Sequence, residues 1–401
     1  MKSLQNLIVY RCILKNKIIM SYMKMLESKS KKKALKHYFK LQNMLLEHFE
    51  GLAGRDLWKM FLLQLVSEDE NIFSRLCERG SDIPEGLYKI VLEDLDIVLA
   101  NTKFDWKLLE RELGMEGITI NSVLEGSCSY WENDKFRTGE YFRKLYSEKG
   151  RGIYQNNHVF KIGDNNLLKP VVNYDKVEFK DLIGYESQIK TLRENTESFL
   201  RGERSNNVLL YGDRGTGKSS SVKALLNEYK HEGLRVIEMK KDQFKLFPSI
   251  IETVRDRMHK FIVFIDDLSF EDFETEYKVL KAVLEGSFET KPDNLLIYVT
   301  SNRRHLIKEK FSERDGDIHG NETVSEKLSL FDRFGITIYY NQPNDELYTT
   351  MVKTMAHKSQ IDLSERELMQ IANEWKIARA SKSGRSARQL VDKLPKKSRQ
   401  E

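Results

Sequence analysis

Gly212-Asp213-Arg214-Gly215-Thr216-Gly217-Lys218-Ser219 brings three glycines, a lysine and a hydroxyl together within eight residues. Glycines let a backbone turn tightly and present successive N–H groups to the oxygens of a polyphosphate. Lys218 adds a point charge for β- and γ-phosphates, and the Ser219 hydroxyl suits Mg2+. Residues Gly212 to Ser220 are therefore the candidate ATP contacts, with a helix expected to begin at Ser220 and add its positive end. The alternative is a glycine-rich strand-to-helix turn, which needs neither the lysine nor the hydroxyl.

A second acidic element completes the chemistry. Phe261–Ile265 ends in Asp266-Asp267, two carboxylates at the edge of an apolar run. Carboxylates in such a place are costly unless they serve a cation or a hydrogen-bond network. Asp266 is expected to share Mg2+ with Ser219, and Asp267 to polarise an attacking water. A helix N-cap is the plainer alternative for Asp267.

The surrounding chain supplies elements that could hold these residues. Val208–Tyr211, Arg235–Met239, Phe261–Ile265, Leu295–Thr300 and Ile336–Tyr340 read as strands, alternating with helical stretches. Several are apolar almost throughout, as strands covered on both faces require, so an α/β core with a parallel sheet is expected over residues 181–343. Helices follow over 344–395, with a capping box at Ser364–Glu367 and a break at Ser383–Gly384. Residues 150–180 read as a connector, possibly a hairpin about Val159–Ile162, and 396–401 as a basic tail. From Lys33 to Lys149, Leu35, Tyr38, Phe39, Leu45, Phe49 and Leu52 begin a three-to-four spacing, so residues 1–149 read as a mainly helical domain with an aromatic core.

Composition narrows the function classes. With 401 residues, two or three domains are expected. Twenty Phe and 17 Tyr exclude a disordered chain, and no apolar run is long enough for a membrane span. The formal charge is +5, yet residues 1–40 carry eleven Lys/Arg against one acid, Glu27, leaving −5 for the rest. That distribution describes a basic leading arm, read as a solvated tail, with nucleic acid or an anionic membrane surface as its alternative contacts. Cys12, Cys77 and Cys128 form no CxxC, and the eight histidines form no HExxH, so neither a disulfide scaffold nor a zinc hydrolase is supported. A reducing, cytoplasmic setting is expected.

The stretches Asn207–Ser221, Leu234–Glu238, Phe264–Phe270, Tyr298–Leu306, Lys327–Gly335 and Ser383–Leu390 resemble the AAA+ branch of the P-loop ATPases. More narrowly, the chain looks like the bacterial ATP-binding family called domain of unknown function 815. The resemblance covers roughly residues 175–395 and implies a P-loop NTPase core with a C-terminal helical lid. It implies that Asn302 orients the water, that Arg333 acts as an arginine finger on a neighbouring subunit, and that Arg388, or Arg385 one turn away, is the lid's nucleotide sensor. AAA+ proteins more often carry Glu where this chain has Asp267. Arg303 and Arg304 are expected to contact phosphate, subunit or client, or to be a solvated turn, and the polar segment 312–325 to contact a client or neighbour, or to be an excursion.

The expected function is that of an ATPase using ATP and Mg2+ to remodel or load an unidentified protein client as a homo-oligomer. A nucleotide-gated binding module with little hydrolysis is the rival. A DNA-associated loader is the third reading, disfavoured by the −5 of residues 41–401.

Overall fold

The computed structural model describes residues 2–49, 56–115, 134–163, 165–269, 276–285, 292–302 and 332–395. The chain divides into two compact units, residues 1–156 and 157–401, each built on its own apolar core.

The first unit opens with two short 3-10 turns, Leu4–Asn6 and Arg11–Lys15, then α1 (Lys17–Glu27) and α2 (Lys31–His48). It continues with α3 (Leu57–Ser67), α4 (Ile72–Glu78), α5 (Glu85–Thr102), α6 (Trp106–Glu112) and α7 (Lys135–Lys149). The leading segment is not the solvated tail expected from its charge. Leu4, Leu7, Tyr10, Ile13, Ile19 and Tyr22 are buried in the helical core, because most apolar residues between the lysines turn inward, with Ile8 and Met20 left exposed. Asp94 on α5, itself buried, anchors the segment: its carboxylate accepts from the N–H groups of Ile8 (3.0 Å), Val9 (2.6 Å) and Tyr10 (3.0 Å). The expected aromatic core also needs one correction. Tyr38 is fully buried, but Phe39, about 100° further round the helix, is 48% exposed.

The second unit contains one sheet, ordered β2-β1-β4-β5-β6-β3-β7 among the described residues. Its strands are β1 (Val159–Ile162), β2 (Leu168–Pro170), β3 (Val208–Gly212), β4 (Leu234–Glu238), β5 (Lys260–Ile265), β6 (Leu295–Ser301) and β7 (Ile336–Tyr340). All pairings are parallel except the β1–β2 hairpin, which extends the sheet from within the stretch 150–180. Val208, Leu210, Ile262 and Phe264 face one apolar layer, while Leu209, Phe261, Val263 and Ile265 are buried on the other. Burial on both faces is what strands this apolar require.

Helices α8 (Glu186–Leu200), α9 (Lys218–Tyr229), α10 (Phe247–Arg255) and α11 (Glu276–Glu285) accompany the sheet. After β7 the chain is helical: α12 (Asp345–Lys358), α13 (Glu365–Arg379) and α14 (Gly384–Val391). The Ser364–Glu367 capping box is formed, and Ser383 caps α14. Met351, Val352, Leu368, Ala387 and Leu390 join the same core as the sheet. Register brings the C-terminal ends of the central strands level: Leu210 lies opposite both Thr300 and Ile338, and Ile265 opposite Val299. The chain leaving β3, β5 and β6 therefore emerges at one edge of the sheet.

Candidate nucleotide site

At that edge lies a cleft of about 890 Å3, lined by Arg214 through Ser220, Asp266, Asp267, Thr300, Asn302, Arg385 and Arg388 among others. Residues separated by up to 217 positions in the sequence, from Asp175 to Asp392, thus share one cavity.

The glycine loop leaves β3 at Gly212, whose φ of 133° no side chain tolerates well. An added Cβ there would also lie 2.1 Å from the Tyr340 carbonyl oxygen, so β7 requires a glycine at this position. Gly217, at φ 101°, ends the loop and starts α9 at Lys218. The loop braces itself: Thr216 Oγ1 donates to the Asp213 carbonyl at 2.8 Å, and the Asp213 N–H donates to Tyr340 O at 3.3 Å.

Lys218 is 6% exposed, and its ammonium is held by three acceptors. It donates to the carbonyls of Gly212 (2.9 Å) and Asp213 (2.7 Å) and to Asn302 Oδ1 (3.1 Å). Burial lowers its pKa and Arg385 adds to that, opposed by Asp213, Asp267 and Asp266. An ammonium with three donors has all of them used here, so an incoming phosphate must exchange for one of these acceptors.

The twin aspartates sit at the cleft's exposed floor. Ser219 Oγ donates to Asp266 Oδ1, which also accepts from Thr300 Oγ1, each at 2.5 Å. A hydroxyl and a carboxylate oxygen thus converge on one point, a donor set suited to a hard cation that keeps waters and phosphate oxygens as its other ligands. Among the described residues no group of three or more His, Cys, Asp or Glu side chains is placed to hold a metal ion. Asp267 adopts φ 51°, in the left-handed region that Asp enters more readily than most residues. Its N–H donates to Thr300 Oγ1 at 2.8 Å, and its carboxylate accepts from Asn302 Nδ2. It makes no N-cap here; the chain runs on through Leu268, whose N–H donates to Thr300 O at 2.8 Å.

Both lid arginines are exposed and line the cleft. The Arg385 N–H donates to Gly215 O at 3.3 Å, tying the lid to the loop. Arg388 lies near Asp181, whose carboxyl, despite burial, is held below its usual range by the Glu178 amide, Lys358 and Arg388. Arg333 is exposed and does not line this cleft. Arg303, Arg304, the segment 312–325, Cys128 and the tail 396–401 lie outside the described residues.

Two features escaped the sequence reading. Thr300 joins the two aspartates, and Leu182, Ile183, Met351 and Met355 give the cleft an apolar end. These apolar side chains, with Leu182 close to Gly217 of the loop, suit a flat heteroaromatic ring beside the polar phosphate loop.

Residues 155–398 match the family described as "Protein of unknown function (DUF815)". Over 76 residues the chain is 36% identical to the replication factor C large subunit of Staphylothermus marinus, covering 19% of this chain and 17% of that relative. Among solved structures it is similar to the RuvB Holliday junction branch migration motor of Thermotoga maritima, with 16% identity and a TM-score of 0.39, over 54% of this chain and 63% of that one. It is also similar to the FIGL-1 AAA domain in complex with ADP, with 21% identity and a TM-score of 0.36, over 55% and 73% of the two chains. The chain therefore spans under two thirds of the RuvB chain and under a fifth of the curated relative. No helix among the described residues is long and apolar enough to cross a membrane.

Proposed function

The chain belongs to the DUF815 family, with the fold of an AAA+ P-loop ATPase, and from that premise we propose that it binds ATP with Mg2+ and hydrolyses it to remodel or load a partner. The observation that carries this reading is the convergence of Lys218, the Ser219–Asp266 pair and the Asp267–Asn302 pair on one cleft. Lys218 and the loop amides hold the triphosphate, while Ser219 and Asp266 hold Mg2+, which would offset phosphate charge when bound. Asp267 accepts a proton from water held by Asn302, and Leu182, Ile183, Met351 and Met355 cover the base. Arg388 or Arg385 grips the phosphates from the lid. Arg333, exposed and away from this cleft, suits a role on a neighbouring subunit's γ-phosphate, which makes the working form a homo-oligomer.

Calorimetry with ATP and steady-state phosphate release test this on three proteins. Wild type should bind and turn over; Lys218→Ala should do neither; Asp267→Asn, which tolerates the positive φ, should bind but not turn over. Absence of nucleotide uptake by folded wild type would sink the reading.

A nucleotide-gated binding module is the second reading, favoured by one observation: Asp267 is a methylene shorter than the Glu common at this place and is already engaged by Asn302. On that reading Asp267→Asn retains all cellular function, and on the first it loses it.

A further inference from the structure

Helix α2 breaks two local rules at once. Lys31, Lys32 and Lys33 occupy its first turn with no acid beside them, against the positive end of the helix dipole. Lys32, Lys36 and Lys40 then succeed one another at i,i+4, where like charges destabilise a helix. Elsewhere the protein does the opposite, pairing Lys89 with Glu85, Lys144 with Glu148 and Lys190 with Glu194 across the same spacing. Lys29, Lys32, Lys33, Lys36 and Lys40 are all exposed, and none makes an ion pair among the described residues. Local rules broken without compensation in the folded chain mark a place where something outside it compensates.

The shape of the face says what that is. Lys32, Lys36 and Lys40 climb the helix in steps of about 6 Å, forming a straight cationic row. Phe39, 48% exposed, stands at the edge of this row with Asn43 beside it. The opposite face of α2, with Ala34, Tyr38, Leu41 and Leu45, is buried in the core, which leaves Phe39 and Leu46 as its exposed apolar side chains, far short of the full apolar face a helix lays into a lipid bilayer. A row of phosphates with bases that can stack on an exposed ring complements both features.

We propose that the outer face of α2 binds the backbone of single-stranded nucleic acid, with Lys29, Lys32, Lys33, Lys36 and Lys40 on phosphates and Phe39 stacked on a base. This surface belongs to the first unit and the nucleotide cleft to the second. The −5 carried by residues 41–401 does not oppose it, because eight of the eleven Lys/Arg of residues 1–40 lie between Lys17 and Lys40.

The test uses the full chain and a labelled single-stranded oligothymidylate of about 30 nucleotides, with binding read by fluorescence anisotropy. From about 50 to 200 mM salt, log affinity should fall against log salt with a slope of about −3, as four or five neutralised phosphates on a single strand require. Lys32→Gln/Lys36→Gln/Lys40→Gln should lose tenfold or more in affinity and flatten the slope by about 2, with ATP binding unchanged. The single Lys36→Gln variant, which disturbs folding least, should flatten it by about 0.7. Phe39→Ala should cost about fivefold or more at unchanged slope. Three results overturn the proposal: no binding at the lowest salt, lysine variants that bind with the wild-type slope, or indifference to the oligonucleotide together with binding to vesicles of about 30 mol% phosphatidylserine.

Discussion

Lys218 Nζ donates to Asn302 Oδ1 across 3.1 Å, and the same amide's Nδ2 donates to Asp267. One neutral side chain therefore spans the proposed phosphate-binding lysine and the proposed base, and neither can move without breaking its bond to Asn302. An amide suits this position because it accepts from the cation and donates to the anion without adding charge. Asn302→Ala should leave ATP affinity within a few-fold of wild type and lower turnover by about a hundredfold, the lower end of what a positioned proton acceptor supplies. Calorimetry and phosphate release on the same preparation check both halves; equal loss of binding and turnover would make Asn302 a binding residue only.

Thr300 Oγ1 accepts from the Asp267 N–H and donates to Asp266, so one hydroxyl holds the backbone of one aspartate and the carboxylate of the other. Thr300→Val keeps the volume and the β-branch and removes both bonds. It should raise the Mg2+ concentration needed for half-maximal turnover and cost about 1–3 kcal/mol in stability, because the Asp267 N–H loses its acceptor. A Mg2+ titration of turnover and a denaturant melt measure the two effects.

Asp69, 6% exposed in the first unit, has its carboxyl pushed up to about 6 by burial, with Glu70 and Asp94 adding to the shift and the Asn71 amide opposing it. In the unfolded chain such a group titrates near 3.9. The native state therefore holds a proton that the unfolded state has released between about pH 4 and 6, and stability falls with rising pH across that window. Asp69→Asn keeps the shape and removes the effect. Its melting temperature should match wild type near pH 4 and exceed it at pH 7, by an amount on the order of 2–3 kcal/mol in stability. A constant difference across the range would show that burial does not govern this group.

Asp94 collects three consecutive N–H groups, from Ile8 to Tyr10, in a site that is 1% exposed. Asp94→Ala strands those donors and should cost about 3 kcal/mol or more, with the loss falling first on the leading segment. Hydrogen exchange should show residues 4–15 losing protection before α3 or α5 does.

Strand positions are plain in the sequence because a strand buried on both faces has to be apolar along its length, as Phe261–Ile265 is. The phosphate loop is plain because its chemistry needs glycine, lysine and a hydroxyl at fixed offsets. Thr300 is hidden because its role depends on register: only when β5 and β6 pair does its hydroxyl reach the two aspartates. Leu182, Ile183, Met351 and Met355 are hidden for a related reason, since they belong to segments far apart in the chain that meet only when α12 packs on the core. The leading arm misleads because its charge is so one-sided, eleven Lys/Arg against Glu27, although half of its residues are hydrophobic. Its apolar residues are spread over two 3-10 turns and a helix, a mixture with no single period to detect.

The bond from the Arg385 amide to the Gly215 carbonyl has a geometric corollary. In a planar trans peptide the carbonyl and the adjoining N–H point in opposite directions. By gripping the oxygen of Gly215, the lid dictates which way the hydrogen of Thr216 is aimed. Swinging α14 outward would remove that constraint, so the posture of α14 and the aim of the Thr216 N–H are coupled.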